Sequence, residues 1–118
     1  MNAYWGNTLE IGVEKTDEVA RIKLSGRLDM NTSPDLRKAA LALYTKGECR
    51  NLTIDFANVS HIDTSGLATL LEILVAAKDK CAQLALSNLN EKVRYLIDVN
   101  GLAGFFRIDA PTQEKSRA

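Results

Sequence analysis

The sequence is poor in the residues from which most metal sites and many catalytic sites are built. It has one histidine, His61, and two cysteines, Cys49 and Cys81, which are far apart and form no CxxC pair. Structural metal sites need clustered cysteine and histidine ligands, and a catalytic triad needs a serine, a histidine and an acid that converge. No GxGxxG or Walker loop for a nucleotide is present. The sequence therefore predicts a protein that is not an enzyme and uses neither a metal ion nor a cofactor.

An excess of charge and a long apolar run are also lacking. Fifteen basic residues balance fifteen acidic ones, so there is no broad attraction to nucleic acid or to an anionic membrane. The longest strongly apolar run, residues 70–77, contains Glu72 and is far shorter than the roughly 20 residues that cross a bilayer. Residues 1–8 do not resemble a signal peptide, and the separated cysteines favour free thiols in a reducing compartment. We therefore expect a cytoplasmic protein without direct membrane insertion.

The hydrophobic patterns that are present predict one α/β domain. With 118 residues, 46% of them hydrophobic, the chain can bury a core of its own. Residues 9–14 and 19–28 alternate apolar and polar side chains around a short turn, which predicts an antiparallel hairpin with a phase slip near Ala20 and Arg21. Helices then alternate with strands, which predicts a mixed sheet that is parallel in its later part. We expect a domain over residues 1–110 and a polar C-terminal tail over residues 111–118.

The helix that follows the hairpin has recognisable start and stop signals. Thr32 or Ser33 can cap its N-terminus, Pro34 suits its first turn, and Gly47 is expected to end it. The later predicted elements are a strand over residues 52–56, a helix from about residue 64 to 77, a strand over 83–87, a helix over 91–99 capped by Asn88 or Asn90, and an apolar segment over 102–108.

The central stretch of the chain joins a strand pattern to an apolar helix through a polar turn and the sequence Asp63-Thr64-Ser65-Gly66. Asp63 or Thr64 can cap the helix, and Gly66 removes a side chain that would block the approach of another backbone. A helix N-terminus also holds an anion well, because it carries about half a positive charge. The turn is therefore either only a capped helix start or the place where the two hydroxyls perform a function.

The helix behind this turn is apolar over most of its circumference. Between residues 67 and 77 only Thr69 and Glu72 are polar, so the apolar surface is wider than one sheet face would bury. Either both faces of the helix are packed within the domain, or one face is left for a partner. Self-association could also cover it.

Two segments carry a resemblance to a known family. Residues 59–71, V-S-H-I-D-T-S-G-L-A-T-L-L, resemble the signature of STAS domains, the fold of bacterial anti-sigma factor antagonists, in which D-[ST]-[ST]-G-L follows a central strand. Residues 26–32 resemble the family pattern G-x-L-D-x-x-[ST], whose loop lies beside that turn and takes part in partner binding. The resemblance extends over about residues 9–108 and implies a single-domain STAS-like fold.

The resemblance also implies a mechanism. In the family the hydroxyl residue directly after the motif Asp is phosphorylated by an anti-sigma factor that is an ATP-binding serine/threonine kinase, and that residue is Thr64 here, with Ser65 as the alternative. Unmodified, the domain would bind the anti-sigma factor and release the sigma factor, and a PP2C-type phosphatase would remove the phosphate. The residues implied in partner binding are Asp29, Asn31, Asp63, Thr64, Ser65, Gly66 and Leu67.

Two points stay open at this stage. The Asp29 carboxylate either contacts the partner or only bonds to nearby backbone amides of its own turn. Many family members have serine where this chain has Thr64, so the domain could instead bind a partner permanently. It would then be a STAS-type accessory subunit of a membrane lipid-transport ATPase or a constitutive scaffold in a signalling complex.

Overall fold

A computed structural model describes residues 8–46 and 49–109. The elements follow the predicted order of a hairpin and then alternating helices and strands: β1 (Leu9–Thr16), β2 (Val19–Leu28), α1 (Ser33–Thr45), β3 (Asn51–Ile62), α2 (Thr64–Asp79), β4 (Gln83–Ser87), α3 (Glu91–Val99), a short 3-10 turn (Ala103–Phe105) and β5 (Arg107–Asp109). The predicted stop at Gly47 and the predicted tail over residues 111–118 lie outside the described residues.

The five strands form one mixed sheet in the order β1-β2-β3-β4-β5. The β1–β2 pair is antiparallel, whereas β2–β3, β3–β4 and β4–β5 are parallel. Each parallel connection contains a helix, as a crossover between parallel strands requires. The predicted α/β class, the N-terminal hairpin and the parallel later part of the sheet are confirmed.

The core lies between one face of the sheet and the helices. Every second residue of the central strands is buried, and these positions align across the sheet, as in the row Ala20, Leu52 and Leu84 and the row Ile22, Ile54 and Leu86. Buried side chains from all three helices join the same core, among them Leu36, Tyr44, Leu70, Ile73, Val93 and Ile97. The helices therefore cover one face of the sheet, and alternate residues of the strands point to the opposite face. The inward phase of β2 begins at Ala20, while Val19 is exposed, so the predicted phase slip there is wrong.

Strand β3 is longer than the sequence pattern suggests. The polar turn expected after Phe56 is instead strand, which continues to Ile62 and pairs with the end of β2. The pairing shifts register between Lys23 and Ser25, as at a β-bulge, and the shift brings Val59 back into the core. Because the bulge changes which residues face inward, residues 57–62 lose the regular alternation and look like a turn in the sequence.

At the start of α1, the hydrogen bonding of the capping residue differs from the expectation. Thr32 takes the N-cap position, but its side chain makes no capping hydrogen bond to the first turn. Its hydroxyl instead donates to the Arg27 carbonyl oxygen at 2.7 Å and accepts from the Asp29 N–H at 3.0 Å. Ser33 donates its hydroxyl to the Asp29 carbonyl oxygen at 2.6 Å. The two hydroxyls therefore stabilise the preceding turn rather than the helix start.

Within residues 8–46 and 49–109, no helix is both long enough and apolar enough to cross a membrane.

Candidate functional site

The turn between β3 and α2 holds the two motif hydroxyls at the carboxyl-terminal end of the central strand. Asp63 is the N-cap of α2, and its Oδ1 accepts hydrogen bonds from the N–H groups of Ser65 at 2.9 Å and Gly66 at 3.2 Å. The cap is thus Asp63 and not Thr64, so the Thr64 hydroxyl has no capping role. Thr64 is exposed, whereas Ser65 is half-buried.

The loop between β2 and α1 is organised by the Asp29 carboxylate. Its Oδ1 accepts hydrogen bonds from the N–H groups of Asn31 at 3.0 Å and Thr32 at 3.2 Å, and its Oδ2 lies 3.5 Å from Arg27 Nε. Burial alone would raise the pKa of Asp29, but these hydrogen bonds and the Arg27 charge outweigh burial and hold the pKa below its ordinary value. Asp29 is only 8% exposed. Of the two roles considered for this carboxylate, the structure shows the one within its own turn.

The two turns are in direct contact. The Asp63 N–H donates to the Leu28 carbonyl oxygen at 3.3 Å, which joins the end of β2 to the start of α2. A Cβ placed on Gly66 would lie 2.9 Å from Leu28 Cγ and 3.0 Å from the Leu28 carbonyl oxygen. Glycine is therefore required for this approach, as the sequence indicates. The two segments that carry the family resemblance form one continuous surface at the carboxyl-terminal ends of β2 and β3.

The seven residues predicted to bind a partner are not equally accessible. Asn31 and Thr64 are exposed and Asp63 and Ser65 are half-buried, whereas Asp29, Gly66 and Leu67 are buried. Leu67 is 4% exposed and belongs to the core, so its side chain cannot contact a partner while α2 keeps its place. Gly66 is likewise buried, packed against Leu28. Direct partner contact by these two residues is therefore the part of the predicted site that the structure does not support, because the start of α2 packs onto the sheet.

The apolar breadth of α2 is explained mainly by packing on two sides. Its inner face joins the core beneath the sheet, and a second side packs beside α1, where Arg37 Nε and Glu72 Oε1 form a 3.0 Å ion pair across the two helices. Val75 remains 66% exposed. Most of the apolar surface is therefore buried within the domain, as the first alternative predicts, and a small part faces solvent.

A buried carboxylate on the other face of the sheet was missed by the sequence analysis. Asp55 in β3 accepts hydrogen bonds from Arg21 at 2.9 Å, from the Asn88 side-chain amide at 3.0 Å and from the Ala57 N–H at 2.9 Å. Burial would raise the pKa of Asp55, but the bonds from Asn88, Ala57 and Arg21 and the Arg21 charge lower it overall. This carboxylate connects β2, β3 and the loop after β4. The only sequence signal was an acid between two apolar residues, Ile54 and Phe56, of a predicted strand.

These two carboxyl groups predict a loss of stability in acid. A carboxyl whose pKa is lower in the folded than in the unfolded chain stabilises the fold while it is ionised. This contribution is complete above the unfolded pKa, about 4, and is lost as the pH falls through the lower folded pKa. We expect the free energy of unfolding, measured by urea titration at pH values from about 7 to about 3, to fall below pH 4. The fall should be smaller in Asp55→Asn, and an unchanged free energy in acid would contradict the assignment.

The described residues also show whether metal ligands or paired thiols are present. Within the described part of the chain, no group of three histidine, cysteine, aspartate or glutamate residues is placed to hold a metal ion. Cys49 is buried, Cys81 is exposed, and both are free thiols.

Comparison with known proteins gives consistent results. The family model described as "Mlab, STAS domain" matches residues 11–108. The anti-sigma-B factor antagonist of Staphylococcus epidermidis is 26% identical over 97 residues, which cover 82% of this chain and 89% of that protein. The anti-sigma F factor antagonist of Paenibacillus polymyxa is 29% identical over 94 residues, or 80% of each chain.

Solved structures support the same fold. The anti-sigma factor antagonist SpoIIAA in its unphosphorylated form matches with a TM-score of 0.78 and 22% identity, covering 92% of this chain and 93% of that one. The Bacillus cell fate determinant SpoIIAA in the phosphorylated form matches with a TM-score of 0.73 and 21% identity, covering 92% and 96%. At this level of identity the likeness concerns the fold alone.

Proposed function

This chain belongs to the STAS domain family, and from that premise we propose that it is an anti-sigma factor antagonist. Its curated relatives bear that name, and they are named as antagonists rather than as enzymes, in line with the expectation of a non-enzyme. In the proposed function the chain binds an anti-sigma factor that is an ATP-binding serine/threonine kinase, and this binding releases the sigma factor.

The observation that carries the proposal is the contact between the two turns. Leu28 joins them through the hydrogen bond from the Asp63 N–H and through its packing against Gly66. The exposed residues Asn31 and Thr64 therefore stand on neighbouring turns of one rigid surface. A rigid surface loses little conformational entropy on binding, which favours a docking role.

We propose Thr64 as the phosphorylation site of this surface, with Ser65 as the alternative. Thr64 is the first residue of α2, is exposed, and leaves the helix cap to Asp63. Ser65 is half-buried and lines a groove between α1 and α2, which makes its hydroxyl less accessible to a kinase. A PP2C-type phosphatase would reverse the modification.

A phosphate at Thr64 would act mainly through charge. It adds about −1.5 to −2 charges at pH 7, next to a carboxylate that already occupies the N–H groups of Ser65 and Gly66. The phosphate would therefore repel Asp63 without gaining those hydrogen bonds. Asp29 contributes less to this repulsion, because Arg27 Nε lies 3.5 Å from its Oδ2 and compensates its negative charge. A penalty of about 3 kcal/mol at the interface would weaken binding about a hundredfold.

The proposal predicts that the chain gains one phosphate when it is incubated with ATP and the anti-sigma-type kinases of the same genome. Intact mass and peptide mapping would locate the phosphate in the wild type, Thr64→Ala and Ser65→Ala. We expect it in the wild type and in Ser65→Ala but not in Thr64→Ala. The modified chain should then bind its kinase about a hundredfold more weakly in calorimetry.

Two other results would change the assignment. Loss of the phosphate only in Ser65→Ala would move the site by one residue. If no kinase added a phosphate, the switch would be contradicted, and a permanent docking role, such as an accessory subunit of a membrane lipid-transport ATPase, would be the better interpretation.

A further inference from the structure

A small groove lies beside the motif turn, between the loop that precedes α1 and the first turns of α2. We name it the Met30 groove. Its volume is about 360 Å³, and its walls include Met30 and Pro34 on one side and Ser65, Ala68 and Glu72 on the other. This volume is near the lower end of the range for ligand pockets, roughly 300–1,000 Å³. The groove is therefore large enough for one or two side chains of a partner but too small for a whole helix or strand.

Met30 gives this groove an exposed apolar edge in a fixed position. The residue is 66% exposed, yet it sits in a turn whose backbone is held by the Asp29 carboxylate and by the Ser33 hydroxyl. A methionine side chain adapts its shape to an apolar neighbour at little cost. A partner that covers Met30 would thus gain apolar contact without having to order the backbone of this loop.

The two charged side chains on the groove walls already form an ion pair with each other. Arg37 and Glu72 are the only charged residues among its lining side chains, and they form the 3.0 Å ion pair between α1 and α2. An occupant that carried a charge would have to lose water without gaining a free counter-charge. Charge complementarity therefore favours an uncharged side chain.

We infer that the Met30 groove receives an apolar side chain of the anti-sigma factor, such as leucine or phenylalanine, and that Met30 makes the main apolar contact with that side chain. The inference rests on the proposed function and adds the chemistry of the contact. In the complex Met30 and Ala68 form the apolar centre of the interface, while Asn31, Thr64 and the Arg37–Glu72 pair form its polar rim. Interfaces commonly concentrate their binding energy in such a centre.

The test is calorimetric titration of the anti-sigma-type kinases of the same genome into the full chain and its variants. Met30→Ser should raise the dissociation constant at least about tenfold, and Met30→Leu should stay within about threefold of the wild type. Ala68→Lys, which puts a charge into the groove, should raise it at least about tenfold as well. Val99→Ser is the matched control, because Val99 is also exposed, at 56%, but lies on α3. It should leave the dissociation constant unchanged.

The outcomes separate this inference from the proposed function. Wild-type binding together with unchanged affinity in Met30→Ser or in Ala68→Lys would overturn the inference and leave the proposed function in place. An equal loss in Val99→Ser would also overturn it, because the effect would not be confined to the groove. If the wild type bound none of the kinases, the proposed function would fail and this inference with it. Thermal unfolding of each variant would show that a loss of affinity is not a loss of folding.

Discussion

Replacing Asp55 by alanine should lower the free energy of unfolding by about 3 kcal/mol. The substitution removes the acceptor for Arg21, for the Asn88 amide and for the Ala57 N–H, all at one buried position. The Arg21 side chain is 29% exposed and can recover part of its hydration, so we expect the lower end of the range for broken buried ion pairs. Urea unfolding monitored by circular dichroism would measure the difference, together with a lower melting temperature by roughly 10 °C.

The ion pair between Arg37 and Glu72 offers a matched control. Both side chains are about half exposed, at 51% and 57%, so Glu72→Ala should cost less than about 1 kcal/mol. Asp55→Asn should fall between the two, since it keeps an acceptor oxygen but loses the charge. If Asp55→Ala were no less stable than Glu72→Ala, the Asp55 carboxylate would not connect the strands as described.

The second large effect is expected at Gly66. Its Cβ position lies 2.9 Å from Leu28 Cγ and 3.0 Å from Ile62 Cγ1, which is closer than carbon atoms normally approach. Gly66→Val should therefore lower the free energy of unfolding by about 3 kcal/mol, and Gly66→Ala by about 1–2 kcal/mol. Alanine favours a helix over glycine by roughly 1 kcal/mol, so without this clash Gly66→Ala would stabilise the protein. The sign of the change measured by urea unfolding is thus diagnostic.

Gly12 in β1 provides the control for this prediction. A Cβ added there lies more than 4 Å from the described atoms outside Gly12 and its two chain neighbours, so Gly12→Ala should be neutral or slightly stabilising. Gly66→Ala should also weaken binding to the proposed partner, because it separates the two turns that Leu28 holds together. A Gly66→Ala variant as stable as the wild type would contradict the close approach of α2 to β2.

The order of the elements could be predicted because local patterns determine it. Asn90 accepts from the Val93 N–H and caps α3, as one of the two predicted candidates, and Asp63 caps α2 in the same way. Such caps involve residues two or three positions apart, so the sequence shows both partners together. The hairpin and α1 also follow from patterns within short stretches of the chain, although Thr32 makes no side-chain cap at α1.

The parts that could not be predicted depend on residues far apart in the chain. Asp55 meets Arg21 and Asn88 only after the sheet has formed, and no local pattern connects them. The extension of β3 needs the register shift opposite β2, which returns Val59 to the core. For the site, the sequence identified the two turns and the close approach at Gly66, but the burial of Leu67 follows from how α2 packs and was not visible in the motif.

The sheet order has a consequence for how the protein is made. The strands lie side by side in the order in which they leave the ribosome, so each new strand can join a neighbour that has already been synthesised. No space has to be kept open for a later strand to enter. The hydrogen bonds of Asp55 cannot all form when β3 is made, because Arg21 precedes Asp55 in the chain while Asn88 is synthesised later. The hydrogen bond from Arg21 to Asp55 can therefore form once β3 has paired with β2, whereas the bond from Asn88 needs the loop that follows β4.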